Sequence, residues 1–181
     1  MDFETRSAWS LKKSNAWTYS KHPTTDILCL KYHLPGSDKI KLWHPGFEAA
    51  GLDPRPFPQD LMDHIEAGGL IEAQNSFFER CIWTNIAVPR YGFSPIRHEQ
   101  WRCSAAKAAS CSLPRSLEGA LAALELGIEK DKEGHRLMMK LSKPRRPKKK
   151  EKAYYEERGK EPPIMWHEDP EELRRLFKYC G

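Results

Sequence analysis

The sequence predicts an α/β domain in which a mixed β-sheet is flanked by α-helices. Segments rich in strand-forming residues come first, another strand-like segment follows a helical pattern, and apolar residues at helical spacing dominate the second half. Strands that alternate with helices along the chain are typical of this architecture. With 181 residues, the chain has the length of one domain with a single core.

The predicted sheet begins with the opening segment MDFET. In an extended chain, Asp2 and Glu4 lie on one face and Phe3 on the other, so both acids share one side of the strand. Residues 26–34 and 39–45 are rich in strand formers and are separated by the turn sequence PGSD, which predicts a hairpin.

A helix is predicted over residues 58–68, because apolar residues recur at helical spacing between a proline and a glycine. Residues 70–75 form the next short strand, and residues 76–87 form a helix with apolar residues on one face. Asn75 and Glu79 therefore lie at a strand-to-helix junction.

The second half is predicted to be helical. Two alanine- and leucine-rich segments, 98–110 and 113–126, have helical periodicity, and residues 134–141 form a short helix. A charged, proline-interrupted segment at about 142–163 predicts a mobile basic loop.

The final predicted helix begins at Asp169, a suitable N-cap, with Pro170 at the first helical position. Its apolar residues form one stripe along the helix, which comprises Leu173, Leu176, Phe177 and Cys180. A stripe of this kind is typical of a helix that packs one face against the core.

The composition excludes several classes of protein. The five cysteines are odd in number and none lies in a CxxC pair, which argues against a disulfide framework and against a zinc site. No run approaches the roughly 18 apolar residues of a membrane span, and the N-terminus lacks the basic and apolar regions of a signal peptide. We therefore expect a cytoplasmic protein that is not inserted in a membrane.

The net charge of +5 conceals a local excess, because residues 143–152 read KPRRPKKKEK. Such a run can neutralise nucleic-acid phosphates and release their counterions, although charged loops of this kind are commonly only solvated. The candidate DNA-contacting residues in this run are Lys143, Arg145, Arg146, Lys148, Lys149 and Lys150.

The acids at the start of the chain suit metal-assisted phosphodiester cleavage, in which carboxylates hold two divalent cations about 3.5 to 4 Å apart. Asp2 and Glu4 have the required spacing on one strand, but an ordinary exposed strand end has the same pattern. Glu79 is a second feature, because the first turn of its helix can aim a further carboxylate towards the opening strand.

These acidic segments resemble the motifs of the DEDD class of metal-dependent 3'-5' exonucleases. Residues 2–5, DFET, are similar to the first motif, and residues 75–79, NSFFE, are similar to the second, N-x-x-(F/Y)-D, with Glu replacing Asp. Tyr179 stands where the third motif, Y-x-x-x-D, has its tyrosine, and the aspartate of that motif would fall two positions beyond Gly181.

The resemblance extends over nearly the whole chain. The stretches similar to the exonuclease region of phage and prophage family A DNA polymerases are, in order, HPTTDILCLKY, AQNSFFERCIW, EQWRCSAAKA, LPRSLEGA, KDKEGHRLMMKLSKPR and HEDPEELRRLFKYC. The resemblance implies a ribonuclease H-like fold in a single domain, 1–181, truncated at both ends. It also implies a polymerase domain on the C-terminal side in full-length relatives.

The implied function is proofreading, the hydrolysis of 3'-terminal phosphodiester bonds in single-stranded DNA ends, within a bacterial or phage-infected host cell. By this resemblance, Asp2, Glu4 and Glu79 are metal ligands for two Mg²⁺ or Mn²⁺ ions, which prefer oxygen ligands. Tyr179 would orient the attacking water. The three carboxylates are thus expected to converge in one cleft with Tyr179 nearby.

Aromatic residues near the second motif are candidates for stacking on a DNA base. Helical spacing favours a core position for Phe78, which leaves Phe77 as the better candidate, and Asn75 completes this set of DNA-binding residues. Three of the tryptophans are interpreted as packing anchors: Trp17, Trp43 and Trp101.

Two alternatives to a working exonuclease remain open. The first is a catalytically impaired fragment of such a polymerase that binds nucleic acid without cleaving it, favoured by the position of the last expected aspartate beyond Gly181. The second is a truncation product with no independent role. A cooperative thermal transition is expected only if the chain folds by itself.

Overall fold

Short strands and helices alternate along residues 1–127 and 131–179, the part of the chain that the computed structural model describes. The strands are β1 Asp2–Arg6, β2 Asp26–Tyr32, β3 Lys41–Trp43, β4 Ile71–Ala73 and β5 Trp101–Cys103. The helices are α1 Ala16–Lys21, α2 Gln59–Glu66, α3 Phe77–Ile82, α4 Val88–Tyr91, α5 Ser104–Ser110, α6 Leu117–Ala123, α7 Lys132–Leu141, α8 Lys149–Glu156 and α9 Pro170–Tyr179. Within the described ranges, every helix is too short or too polar to cross a lipid bilayer.

The strands form two small sheets rather than the single mixed sheet that the sequence predicts. The strands β1, β2 and β3 pair in antiparallel order, which confirms the predicted hairpin, while β4 and β5 form a parallel pair. The two sheets meet where the Met1 ammonium donates a 2.7 Å hydrogen bond to the carbonyl oxygen of Glu72 in β4. The α/β class is therefore confirmed, but the described residues contain no ladder that joins β1 to β4.

The strand β5 corrects the helix predicted over residues 98–110. Trp101 pairs with Ile71 and Cys103 with Ala73, and the helix α5 begins only at the next residue. The alanine-rich composition indicates a helix, but pairing with β4 satisfies the backbone groups of this stretch. Intrinsic propensity is a weak preference that such tertiary pairing overrides.

The strand β2 lies between two hydrophobic clusters. Ile27 and Leu30 belong to one cluster with the buried residues of α2 and with Trp83. Leu28 and Cys29 belong to the other, which α7 and α9 complete. A strand buried on both faces reads as a continuous apolar run, as DILCLKY does.

The last helix packs as its sequence predicts. Leu173, Leu176 and Phe177 are buried against β2 and α7, and the Asp169 carboxylate accepts hydrogen bonds from the first-turn backbone N–H groups of α9 at 3.0 Å. This is the predicted N-cap. Cys180, the remaining member of the predicted stripe, lies outside the described residues.

The segment predicted as a mobile basic loop at about 142–163 contains the helix α8. The guanidinium of Arg145 donates two hydrogen bonds, of 2.6 and 2.7 Å, to the Glu151 carboxylate, which also accepts from the Lys148 backbone N–H at 2.7 Å. These hydrogen bonds lower the pKa of Glu151 to about 2. An anionic side chain that caps free N–H groups stabilises the start of a helix. The charged composition of the segment predicts a loop because it does not reveal this local contact.

Candidate acidic cleft

A cleft of about 1020 Å³ opens between β1, the start of α3 and the end of α7. Asp2, Glu4 and Glu79 are all among the residues that line it. The end of β1 is tied to the end of α7 by a 3.0 Å hydrogen bond from the Ser7 backbone N–H to the Ser142 carbonyl. The cleft is therefore bordered by elements that contact one another directly.

The strand β1 places its two acids through its alternation. Phe3 is 4% exposed and packs in the hydrophobic cluster around Trp83, which turns Asp2 and Glu4 to the opposite face. Asp2 pairs with Lys31 and Glu4 with Cys29 in β2, and the register shifts directly after Glu4. Such a β-bulge bends a strand locally, and this one lies within the stretch of β1 that lines the cleft.

Glu79 is the most unusual acid of the cleft. It is 3% exposed, and its Oε2 atom has no hydrogen-bond partner among the described residues. Burial raises the pKa of Glu79 to about 8, and the Asp2 carboxylate acts in the same direction while the Met1 ammonium opposes it. A buried carboxyl oxygen without a partner is energetically costly, so this position is suited to a cationic ligand.

Asp2 shares this environment, although it remains exposed to solvent. The surrounding protein atoms raise the pKa of Asp2, and the charge of the Met1 ammonium partly offsets that increase. Burial lowers the pKa of the Met1 ammonium, which Asp2 and Glu79 oppose. Both carboxyl groups therefore ionise less readily than usual, Glu79 in part because of the Asp2 charge, and the Met1 ammonium offsets part of each effect.

The donor atoms suit Mg²⁺ or Mn²⁺, because all three acids offer carboxylate oxygens, which are hard ligands. The unpartnered Oε2 of Glu79 is an available donor. As the side chains lie, residues 1–127 and 131–179 contain no group of three or more His, Cys, Asp or Glu residues arranged around a metal position. The chemistry of the donors therefore fits, whereas a complete ligand set is not assembled.

Tyr179 is not among the residues that line the cleft. It is partly buried in the cluster formed by α7 and α9, and its ring packs directly on Gly134 of α7. A Cβ atom added to Gly134 would lie 1.9 Å from the ring carbon Cδ2 of Tyr179. The expected role of Tyr179 in orienting a water stays a prediction.

The residues of the second motif lie at the cleft with different exposures. Asn75 has a positive φ of 57° at the turn between β4 and α3. Phe77 is 55% exposed, whereas Phe78 is partly buried and packs near the Tyr19 ring at 6.0 Å between centroids. These exposures agree with the interpretation of Phe77 as the ring available to a ligand. All three motif residues line the cleft.

The basic candidates divide into three groups. Lys143 lines the cleft. Arg145 is engaged within the protein, because besides Glu151 its Nε donates to the Trp166 carbonyl at 3.0 Å. The others are exposed away from the cleft lining: Arg146, Lys148, Lys149 and Lys150.

The sequence interpretation missed one wall of the cleft, which is formed by the segment after β1. Trp9, Leu11 and Lys12 line the cleft from this segment. Trp17, predicted as a packing anchor, is 45% exposed, so that interpretation is wrong, whereas Trp43 is buried as predicted. A signal was present, because residues 5–25 contain four Lys or Arg and no Asp or Glu.

The fold and the site together describe an α/β domain with an acidic cleft, one wall of which is basic and aromatic. Comparison with known proteins finds similarity to the DNA polymerase of Bacillus phage SP02, with 28% identity over 181 residues. The match covers 99% of this chain and 25% of the polymerase, so the chain spans about a quarter of that relative. No protein-family model and no solved structure matches. The similarity supports a polymerase-related domain.

Proposed function

We propose that this domain is a metal-dependent exonuclease that removes nucleotides from the 3' end of DNA. The observation that carries the proposal is Glu79, whose buried and unpartnered carboxylate oxygen lies in the same cleft as Asp2 and Glu4. The similarity to a phage DNA polymerase adds support. The 3'-to-5' polarity rests on the resemblance of the acidic motifs to those of the DEDD exonucleases.

In this function, Asp2, Glu4 and Glu79 would hold the divalent ions. When bound, such ions supply Lewis-acid stabilisation of the phosphate and a more acidic water. The chain's own contribution is to place three carboxyl groups in one cleft together with Lys143 and Phe77. Lys143 is positioned for a phosphate and Phe77 for a base.

The test is release of nucleotides from a 3'-labelled single-stranded DNA in Mg²⁺ and then in Mn²⁺. We expect release by the wild-type chain, loss of release in Asp2→Ala, and normal release in Asp53→Ala, which removes an exposed acid away from the cleft. Metal-induced thermal stabilisation gives a second measurement that does not depend on activity. Release that persists in Asp2→Ala would contradict the proposal.

A second candidate function is nucleic-acid binding without cleavage. It is favoured by the lack of an assembled group of three metal-ligating residues in the described parts of the chain. A longer version with an aspartate four positions after Tyr179 separates the two candidates. Release only by the longer version rejects cleavage by this chain, and binding of the same DNA by this chain in EDTA then supports the second candidate. Equal release by both versions supports catalysis by this chain.

A further inference from the structure

The segment after β1 gives the cleft an apolar surface that the core does not cover. Trp9 and Leu11 line the cleft and keep 43% and 44% of their surfaces exposed. Large apolar side chains left open inside a concave surface are typical of a binding site. A ligand in the cleft would therefore contact this wall.

Trp9 is held in position without any ligand. Its ring stacks on that of His22, with 5.3 Å between centroids and 19° between planes. Its backbone N–H donates to Ser7 Oγ at 3.0 Å, and the backbone N–H of Ala8 donates to Thr24 Oγ1 at 3.0 Å. Because these neighbours already restrict the indole, little conformational freedom is lost on binding.

The charge of this wall indicates the chemistry of the ligand. Residues 5–25 carry no acid, and of their four Lys or Arg residues Lys12 lines the cleft with Trp9 and Leu11, whereas Arg6 is paired with Glu168 at 2.6 Å. Lys143 lines the cleft as well. Lysines that neutralise phosphates beside rings that stack on bases are the combination by which proteins bind single-stranded nucleic acids.

We propose that Trp9 stacks on an unpaired base and that Lys12 binds a neighbouring phosphate, so that this wall selects single-stranded over duplex nucleic acid. A base within a duplex is covered by its neighbours on both faces, and unstacking it costs a few kcal/mol. The proposed exonuclease function supplies the identity of the strand as a DNA end. Binding to the wall itself needs no metal ion.

The chain offers a matched control for each of the two side chains. Trp17 is 45% exposed, much like Trp9, but it lies outside the cleft lining, and the Lys21 ammonium is 4.3 Å from its ring centroid. Lys13 follows Lys12 directly, is also exposed and is outside the lining. Each control substitution removes the same type of group at a different place.

The experiment measures binding of a labelled oligo(dT) in EDTA, which prevents metal-dependent cleavage. We expect Trp9→Ala to weaken binding by at least about fivefold, the lower end of the contribution of a base–aromatic stack. It should also reduce the preference for oligo(dT) over an abasic strand of equal length, with the remaining preference supplied by Phe77. Trp17→Ala should leave affinity and preference unchanged, and Lys12→Gln should reduce the salt dependence of binding more than Lys13→Gln does.

Thermal melts show that each variant folds, and Trp9→Phe, which keeps a ring, should retain the preference for bases. Equal losses in Trp9→Ala and Trp17→Ala, or equal wild-type affinity for a hairpin duplex and for oligo(dT), would overturn the subsite. Binding that depends on Trp9 without nucleotide release in Mg²⁺ sustains the subsite and rejects the nuclease. Nucleotide release in Mg²⁺ combined with binding that does not depend on Trp9 sustains the nuclease and rejects the subsite.

Discussion

At the scale of single residues, Glu79 couples the chemistry of the cleft to the stability of the domain. Its folded-state pKa of about 8 lies above its ordinary value of 4.5, so the folded protein binds a proton that the unfolded chain releases in that interval. Protonated Glu79 therefore contributes fully to the free energy of unfolding below pH 4.5. This contribution is lost as the pH rises through about 8. The ionised Glu79 carboxylate, which would bind a cation, thus lowers the stability of the metal-free protein.

We therefore predict that Glu79→Gln, measured in EDTA, melts at a higher temperature than the wild type at pH 8. The neutral amide avoids burying a charge, and the gain is on the order of a few kcal/mol. The difference should shrink towards pH 5, where Glu79 is protonated. Thermal unfolding followed by circular dichroism at both pH values measures this, and a pH-independent difference would contradict the charge argument.

At the scale of elements, α9 depends on a close approach to α7. Gly134 leaves the space that the Tyr179 ring occupies, so we predict that Gly134→Ala destabilises the domain by about 1 to 3 kcal/mol through overpacking. Chemical denaturation measures the loss. In a Gly134→Ala/Tyr179→Ala double variant the clash with the ring is absent, so the cost of the alanine at 134 should fall. A smaller cost should remain, because the added Cβ atom would still lie 2.6 Å from the Asp131 Oδ2 atom. If Gly134→Ala costs the same in the wild type and in the Tyr179→Ala variant, the destabilisation does not come from the contact with the Tyr179 ring.

The imidazole of His44 supports the same helix, because it stacks on Phe177 with 4.6 Å between ring centroids. Burial lowers the pKa of His44, and the charge of Arg55 adds to the effect. The folded state therefore favours the neutral imidazole. The contribution of His44 to the free energy of unfolding is fully present above its ordinary pKa of 6.5 and is lost as the pH falls below that value. We predict that the melting temperature drops more between pH 7 and pH 5 in the wild type than in His44→Phe. Parallel pH profiles of the two proteins would contradict this prediction.

The helix α8 depends on the Glu151 carboxylate, which joins Arg145 to the backbone N–H of Lys148. We predict that Glu151→Ala loosens this start of the helix and speeds tryptic cleavage within residues 146–150, because local opening frees the backbone of the basic run to enter the protease. Glu156→Ala is the matched control, since the Glu156 carboxylate forms an exposed ion pair with Lys152. Limited proteolysis followed by mass spectrometry measures the rates, which should differ between the two variants.

At the scale of the whole molecule, the sequence predicts most elements but fewer of their spatial relations. The alternation in residues 2–5, the hairpin and the stripe of α9 are local patterns, and the first two and the described part of the stripe are confirmed. The strand β5 and the exposed setting of Trp9 depend on partners distant in sequence, β4 and the wall of the cleft. Periodicity carries no information about such partners, which explains why both were missed.

The two hydrophobic clusters share β2, so the described domain is expected to unfold as one cooperative unit. Leu30 belongs to one cluster and Leu28 to the other, and both are fully buried. We predict that Leu28→Ala and Leu30→Ala each cost about 2 to 5 kcal/mol. In each variant, tryptophan fluorescence and far-UV circular dichroism should report the same denaturation midpoint. Because Trp43 and Trp83 are buried in the cluster of Leu30, a fluorescence midpoint unmoved by Leu28→Ala would show that the two clusters unfold separately.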